Sequence, residues 1–248
     1  MDALDLLQTR ASFDYQWSRL PQNRWSLASS AYREELPAIV AGLLDLPTAW
    51  FEGRDALDAG CGCGRFAFAL CRLGARVLAV DRSLPALRAT RAACAPFAGF
   101  RGAVAADLLH PLPASGAFDL VWSFGVLHHT GNGPGALRNL RACLRPGGVL
   151  FVMLYGRPRP GNTRDAEEIA SLEAWRSRIA SLPFPAKVEA LRAVAGDDDV
   201  LEYFDAVSPM VNERYGLDEV EGWLRNEGFV DVRRRLDRMD HLLLARRA

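Results

Sequence analysis

The chain is almost without lysine: of its 30 basic residues only Lys187 is one, and 30 acids bring the formal net charge to zero. A balanced charge gives no support to a general nucleic-acid or membrane-surface role. With the many alanines, the arginine bias reads as the mark of a GC-rich, bacterial genome rather than as a phosphate-binding adaptation. Cysteine is also sparse, and odd in number, at positions 61, 63, 71, 94 and 143. Two of these lie in one glycine-rich loop and the others in predicted helices, so no disulfide framework is expected. Cys61 and Cys63 have no matching Cys/His pair at zinc-ligand spacing, and no metal site is expected either. No apolar run reaches the roughly 18 residues of a membrane span. The N-terminus has no basic-then-apolar signal pattern. The expectation is a cytoplasmic protein with no membrane partner. Internal repeats and low-complexity segments are absent as well.

Half of the 248 residues are hydrophobic, enough for one large α/β domain with an elaboration. Residues 1–50 read as a helical cap, punctuated by Pro21, Pro37 and Pro47 and carrying the aromatics Phe13, Tyr15, Trp17 and Trp25. From there to residue 156, strands and helices alternate. Strands are predicted at 54–59, 76–80, 100–105, 118–124 and 149–155, with helices at 65–73, 84–94 and 135–144. This rhythm implies a parallel sheet covered by helices on both faces. Residues 157–216 form an insertion with helices at 165–181 and 186–195. A solvated acidic turn at 197–199 and an aromatic-bearing stretch at 203–215 complete it. A last helix at 217–227 and a hairpin of strands at 229–236 and 241–246 finish the chain at the sheet's edge.

The most informative stretch is Ala56-Leu57-Asp58-Ala59-Gly60-Cys61-Gly62-Cys63-Gly64-Arg65. A strand that runs into alternating glycines makes a turn whose backbone can approach a ligand closely. Gly62, Gly64 and Ala67 fit the G-x-G-x-x-A form of a dinucleotide site, so a nicotinamide-dependent oxidoreductase is one reading. Asp58 favours another. A carboxylate at the end of the first strand would repel a pyrophosphate in the same turn. It would suit a cationic ligand such as S-adenosylmethionine (SAM), which brings an ammonium and a sulfonium and no phosphate.

Asp58-Ala59-Gly60-Cys61-Gly62-Cys63-Gly64 resembles the first motif of class I SAM-dependent methyltransferases of the small-molecule type. Four further segments follow in that family's order: Val77-Leu78-Ala79-Val80-Asp81, Ala105-Ala106-Asp107-Leu108, Phe118 to Ser123 with Val126-Leu127-His128-His129, and Leu144-Arg145-Pro146-Gly147-Gly148. The resemblance covers 54–155 and the terminal hairpin. It implies a Rossmann-like sheet of seven strands, mostly parallel with the last antiparallel, and a helical lid insertion.

It also implies roles. Asp58, Gly60, Cys61, Gly62 and Gly64 would form the loop around SAM. Asp81 would accept from the ribose hydroxyls, with Arg82 beside it, and Asp107 with Leu108 would meet the adenine. Carbonyls near Ser123 and Phe124 would face the methionine ammonium. His128, ahead of His129, is the candidate base that removes the acceptor's proton. Tyr15, Trp17, Tyr155, Tyr203 and Tyr215 are candidates to line the acceptor pocket, whereas Trp223 reads as core. The product would be S-adenosylhomocysteine (SAH), and the acceptor a small molecule of secondary or specialised metabolism, methylated on O, N or C by a monomer or homodimer. An RNA or protein acceptor, and a SAM-fold module without catalysis, are the competing readings.

Overall fold

The computed structural model describes residues 2–20, 26–112 and 114–248. Pro21 and Trp25 lie outside the described residues. Two helices, α1 (Ala3–Arg19) and α2 (Ser30–Leu44), precede the alternating part. That part runs β1 (Asp55–Ala59), α3 (Arg65–Arg72), β2 (Arg76–Asp81), α4 (Leu84–Cys94), β3 (Phe100–Ala105), β4 (Phe118–Phe124), α5 (Gly133–Cys143) and β5 (Leu144–Leu154). The insertion contributes α6 (Thr163–Ile179) and α7 (Phe184–Val207). The chain closes with α8 (Leu217–Asn226), β6 (Phe229–Arg234) and β7 (His241–Arg247).

The strands form one sheet in the order β3-β2-β1-β4-β5-β7-β6. The first five strands pair in parallel, and β7 lies antiparallel between β5 and β6. Both faces are covered because each central strand sends alternate side chains to opposite sides. In β5, Val149, Phe151 and Met153 join the core under α2, α3 and α4, while Leu150, Val152 and Leu154 join the core under α5 and α8. A third cluster, with Ile179, Leu191, Val200 and Phe204, holds α6 and α7 together and takes in Leu20 just after α1. The expected seven-stranded, mostly parallel Rossmann-like sheet is what the chain builds. Among the described residues, no helix is long and apolar enough to cross a membrane.

The chain steps outward from β1 to β2 and β3, then returns to β4 on the other side of β1. The carboxyl ends of β1 and β4 therefore flank a crevice, the usual ligand position in open α/β sheets. Two expectations differ in detail. The Pro146-Gly147-Gly148 turn is absorbed into the start of β5. There the pairing with β4 jumps from Phe118↔Leu144 to Leu120↔Val149, and Gly147 takes φ 75°. The acidic stretch at 197–199 is helical, not a turn: the break falls one residue earlier, at Gly196 (φ 72°, ψ 178°), and the chain continues as α7. Asp197 then pairs with Arg192 across that break at 2.7 Å.

Candidate active site

The glycine loop crosses the end of β2, where the N–H groups of Gly60 and Cys61 donate to the Val80 carbonyl at 2.8 and 3.0 Å. Its glycines are needed for different reasons. A Cβ on Gly60 would sit 2.3 Å from Val126, and one on Gly64 would sit 2.7 Å from the backbone of Thr90 in α4. A Cβ on Gly62 would meet the Trp17 ring at 2.8 Å, so α1 lays an indole directly on the loop. Asp81, at the end of β2, accepts from the N–H groups of Gly62 (2.9 Å) and Ser83 (2.8 Å), and burial raises its pKa. Asp107 accepts from Leu109 N–H at 3.0 Å and lies 3.6 Å from Arg82.

Above this loop, in the crevice at the switch point, is a cavity of about 300 Å³. Gly60, Gly62, Asp81, Arg82, Asp107 and Leu108 line one end, and Phe124, His129 and Tyr155 line the other. Trp17 closes over the loop from α1. The hydrogen-bonding carboxylates and the bare backbone at the first end suit a nucleoside with vicinal hydroxyls and an amino group. The donor set fits the nucleoside half of SAM. Among the described residues no His, Cys, Asp and Glu cluster could hold a metal ion.

Other candidates lie outside the cavity lining. Asp58 is 1% exposed, beneath the loop, and its carboxyl accepts the N–H of Ala67 while Oδ2 has no partner. Burial, with the neighbouring Asp81 adding to it, pushes its pKa up to about 7. The expectation of a charged carboxylate meeting a cationic ligand changes accordingly, because the strand buries the group and keeps it out of the cavity lining. Cys61 turns inward to Thr90, and its neighbour Cys63 takes the place in the lining. Gly64 caps α3, and the Ser123 hydroxyl donates to the Ala59 carbonyl at 3.0 Å.

The two histidines are placed differently. They sit in a single 3-10 turn after β4, which points adjacent side chains in different directions. His128 is fully buried behind the cavity, where its Nδ1 accepts from Tyr155 N–H and its ring stacks on the Tyr155 ring at 3.8 Å. Burial drives its pKa far below the ordinary histidine range, so it is a neutral packing residue and not a base reaching the cavity. His129 is the one that lines it.

The aromatic candidates divide in the same way. Trp17 and Tyr155 line the cavity. Tyr15 packs between Phe184 and Phe204, and Tyr203 lies on α7 against the same cluster. Tyr215 is core: it packs edge-on against Trp223 at 4.6 Å and donates its hydroxyl to Glu213.

Two lining residues, Gln16 and Asp205, lie in segments that the sequence marks for their aromatics and are not themselves site candidates there. Asp205, on α7, accepts from Gln16 Nε2 (3.1 Å) of α1 and from the Tyr155 hydroxyl (2.9 Å), and lies 3.7 Å from His129 Nε2. Burial acts to raise the Asp205 pKa, but His129, Gln16 and Tyr155 together hold it below the ordinary value. A signal for both exists in principle. Gln16 extends a stripe of Thr9 and Ser12 at helical spacing, and Asp205 is an acid among the buried Val200, Phe204 and Val207. A polar stripe reads as solvent-facing unless another polar stripe is known to meet it.

The profile of a methyltransferase domain family matches residues 57–152. A ubiquinone biosynthesis O-methyltransferase of Caulobacter vibrioides is 37% identical over 110 residues, 43% of this chain and 43% of that protein. The protein of the same name from Methylocella silvestris is 31% identical over 160 residues, 57% of this chain and 62% of its own length. The chain thus spans less than two thirds of these relatives. Among solved structures, magnesium protoporphyrin IX methyltransferase from Synechocystis, with bound SAM, superposes with a TM-score of 0.61 at 16% identity, covering 100% of this chain and 98% of that one. Over residues 57–152 the chain is thus similar to the methyltransferase domain family, and its fold is that of the SAM-bound magnesium protoporphyrin IX methyltransferase.

Proposed function

We propose that the chain is a SAM-dependent methyltransferase acting on a small-molecule acceptor, with a place in secondary or specialised metabolism. The observation that carries this is the cavity itself. One continuous space has nucleoside-binding chemistry at its glycine-loop end and a histidine, a tyrosine and a carboxylate at its other end. Asp81 and Asp107 hold the ribose and adenine, the open loop receives the amino-acid portion, and the methyl group bound to sulfonium faces the His129 end. When bound, SAM supplies an activated methyl carbon. The protein's part is then to align a nucleophile in line with it. Support for a small acceptor comes from α1 and α7, which bring Trp17 and Asp205 over the cavity. The relatives named as ubiquinone biosynthesis O-methyltransferases point the same way.

A thermal-shift titration tests the cofactor assignment. SAM or SAH at 100 times its Kd stabilises the native state by about 2.7 kcal/mol. For a chain of this size that raises Tm by roughly 5–10 °C. NAD(P) should leave Tm unchanged. The reverse pattern would make the protein an oxidoreductase of the same loop geometry. Asp81→Ala should cut the SAM-dependent shift and leave the melting of the empty protein nearly where it was.

A further inference from the structure

Asp205 is a carboxylate in the cavity wall that the fold leaves without a counter-charge. Its side chain is 23% exposed, and the residue lines the cavity from α7. Oδ1 accepts from Gln16 Nε2 at 3.1 Å and Oδ2 from the Tyr155 hydroxyl at 2.9 Å. Both donors are neutral, and each carboxylate oxygen has room for a second hydrogen bond. The Gln16 amide is turned to serve this anion. Gln16 is 1% exposed, and with Nε2 on Asp205 its Oε1 is buried without a hydrogen-bond partner. The opposite orientation would set oxygen against oxygen. The three arginines among the described lining residues serve other groups. Arg10 faces Asp14 at 3.9 Å, Arg82 faces Asp107 at 3.6 Å, and Arg65 lies over the Phe66 and Phe124 rings at 4.7 and 5.5 Å. Arg214 lies over the Tyr155 ring at 5.0 Å and donates to the Gly156 carbonyl. Among the described residues, His129 alone comes within ion-pair reach of Asp205. Its Nε2, at 3.7 Å, is beyond hydrogen-bond distance and carries charge only when protonated.

A carboxylate drawn out of water is unfavourable until a cation completes it. The rest of the wall supplies none, since Phe13, Val126, Met153 and Leu201 add apolar surface to the same cavity. Resting on the methyltransferase reading, we propose that Asp205 is the specificity-determining residue of the acceptor site, and that the acceptor is a small apolar or aromatic molecule anchored there by a protonated amine. Gln16 and Tyr155 are positioning residues. They fix the carboxylate and leave a lone-pair direction on each oxygen for the N–H groups of the ligand. An ammonium brings both charge and several donors, whereas a hydroxyl of the same size brings one donor and no charge. The apolar wall suits the remainder of the molecule. While paired, the ammonium has no lone pair to give, so it is an anchor, and the methyl group goes to a second nucleophilic atom of the acceptor.

The test uses the full chain saturated with SAH at about pH 8, where an aliphatic amine is protonated. Two probes are compared by calorimetry: tyramine, and tyrosol, which has a hydroxyl in place of the ammonium. Wild type should bind tyramine at least about tenfold more tightly than tyrosol, the scale of a hydrogen bond to a charged group. Asp205→Asn should remove that preference and bind SAH as wild type does. Equal binding of the two probes by wild type, or no binding of tyramine, would overturn the proposal without recourse to any variant. So would a preference that survives in Asp205→Asn. A third comparison sets SAM against SAH in the absence of probe. If Asp205→Asn weakens SAM but not SAH, the carboxylate serves the sulfonium and not the acceptor, and the proposal falls; an unchanged ratio supports it. Calorimetry of SAH alone keeps the two readings apart. Absence of SAH binding by wild type sinks the methyltransferase reading, while the two probes added to the empty protein still decide the part played by Asp205.

Discussion

Asp58 shows what a single buried carboxyl does to the stability of this fold. Its pKa of about 7 in the native state arises from burial first, increased by Asp81 and opposed by the Ala67 N–H and Arg65. An unfolded aspartate titrates near 3.9. The native state therefore holds the proton more tightly. The stability this gives is full below about pH 4 and is lost as pH rises through about 7. A gap of about three pH units between the folded and unfolded carboxyl corresponds to about 4 kcal/mol at the limit. Asp58→Asn cannot titrate and should remove this slope. Urea unfolding from pH 4 to pH 8 should show wild type losing stability relative to the variant by an amount of that order, the other titrating groups being common to both. A parallel decline in both would place the pH dependence elsewhere. The carboxyl at position 58 is plain in the sequence, and its motif identifies the right loop. Its charge is not legible there, because charge depends on how many neighbours exclude water. The same limit applies at positions 128 and 129, where the 3-10 turn, and not residue type, decides which imidazole faces the cavity.

At the scale of elements, α7 is the informative case. Gly196 interrupts it at φ 72° and ψ 178°, a region open to glycine almost alone, although a Cβ there would touch nothing within 4 Å. Gly196→Ala should therefore cost about 1–3 kcal/mol through backbone strain alone. Gly222, inside α8 with equally open surroundings, is the control, and Ala there should stabilise by about 0.5–1 kcal/mol. Urea midpoints for the pair separate strain from loss of space: equal effects of the same sign would refute the argument. The strands and helices of the parallel core are readable because apolar runs, glycine stops and proline starts all agree there. The second half of α7 is not. Asp197, Asp198 and Asp199 just after a glycine have the composition of a turn, and the packing of Val200, Phe204 and Val207 overrides it. With that half taken for a turn and a loop, Asp205 has no helix face to belong to, and its meeting with His129 across 76 positions cannot be foreseen.

For the molecule as a whole, the question is how a ligand reaches a cavity that α1 and the insertion cover together. The seam between these two parts is apolar where Tyr15 and Leu20 meet Phe184 and Phe204, and polar along the rest of α1. Thr9, Ser12 and Gln16 are the buried residues of α1, while Leu4 and Leu7 point outward. Across the seam, Gln8 donates to Ser208 O (2.9 Å) and accepts from Met210 N–H (2.8 Å). Ser12 bonds Ser208 at 2.8 Å, and Thr9 accepts from Val211 N–H at 2.8 Å. Water can replace such bonds at a net cost of only about 0.5–1.5 kcal/mol each, whereas the sheet opens only with its whole apolar core. The two covering elements should thus part from each other far more often than the sheet opens. Val211 also orients His129, so closure of this seam fixes a lining residue of the cavity as well as roofing it. Hydrogen exchange provides the measurement. Amides of residues 3–19 and 200–211 should exchange faster than those of β1, β4 and β5 in the empty protein, and SAH should slow both segments by a similar factor. Replacing Thr9 by Val and Ser12 by Ala should weaken this shared protection and lower SAH affinity about tenfold, at roughly 0.7 kcal/mol for each bond removed. Protection of one segment without the other would show that the roof is two independent parts, and that His129 is set before the ligand arrives.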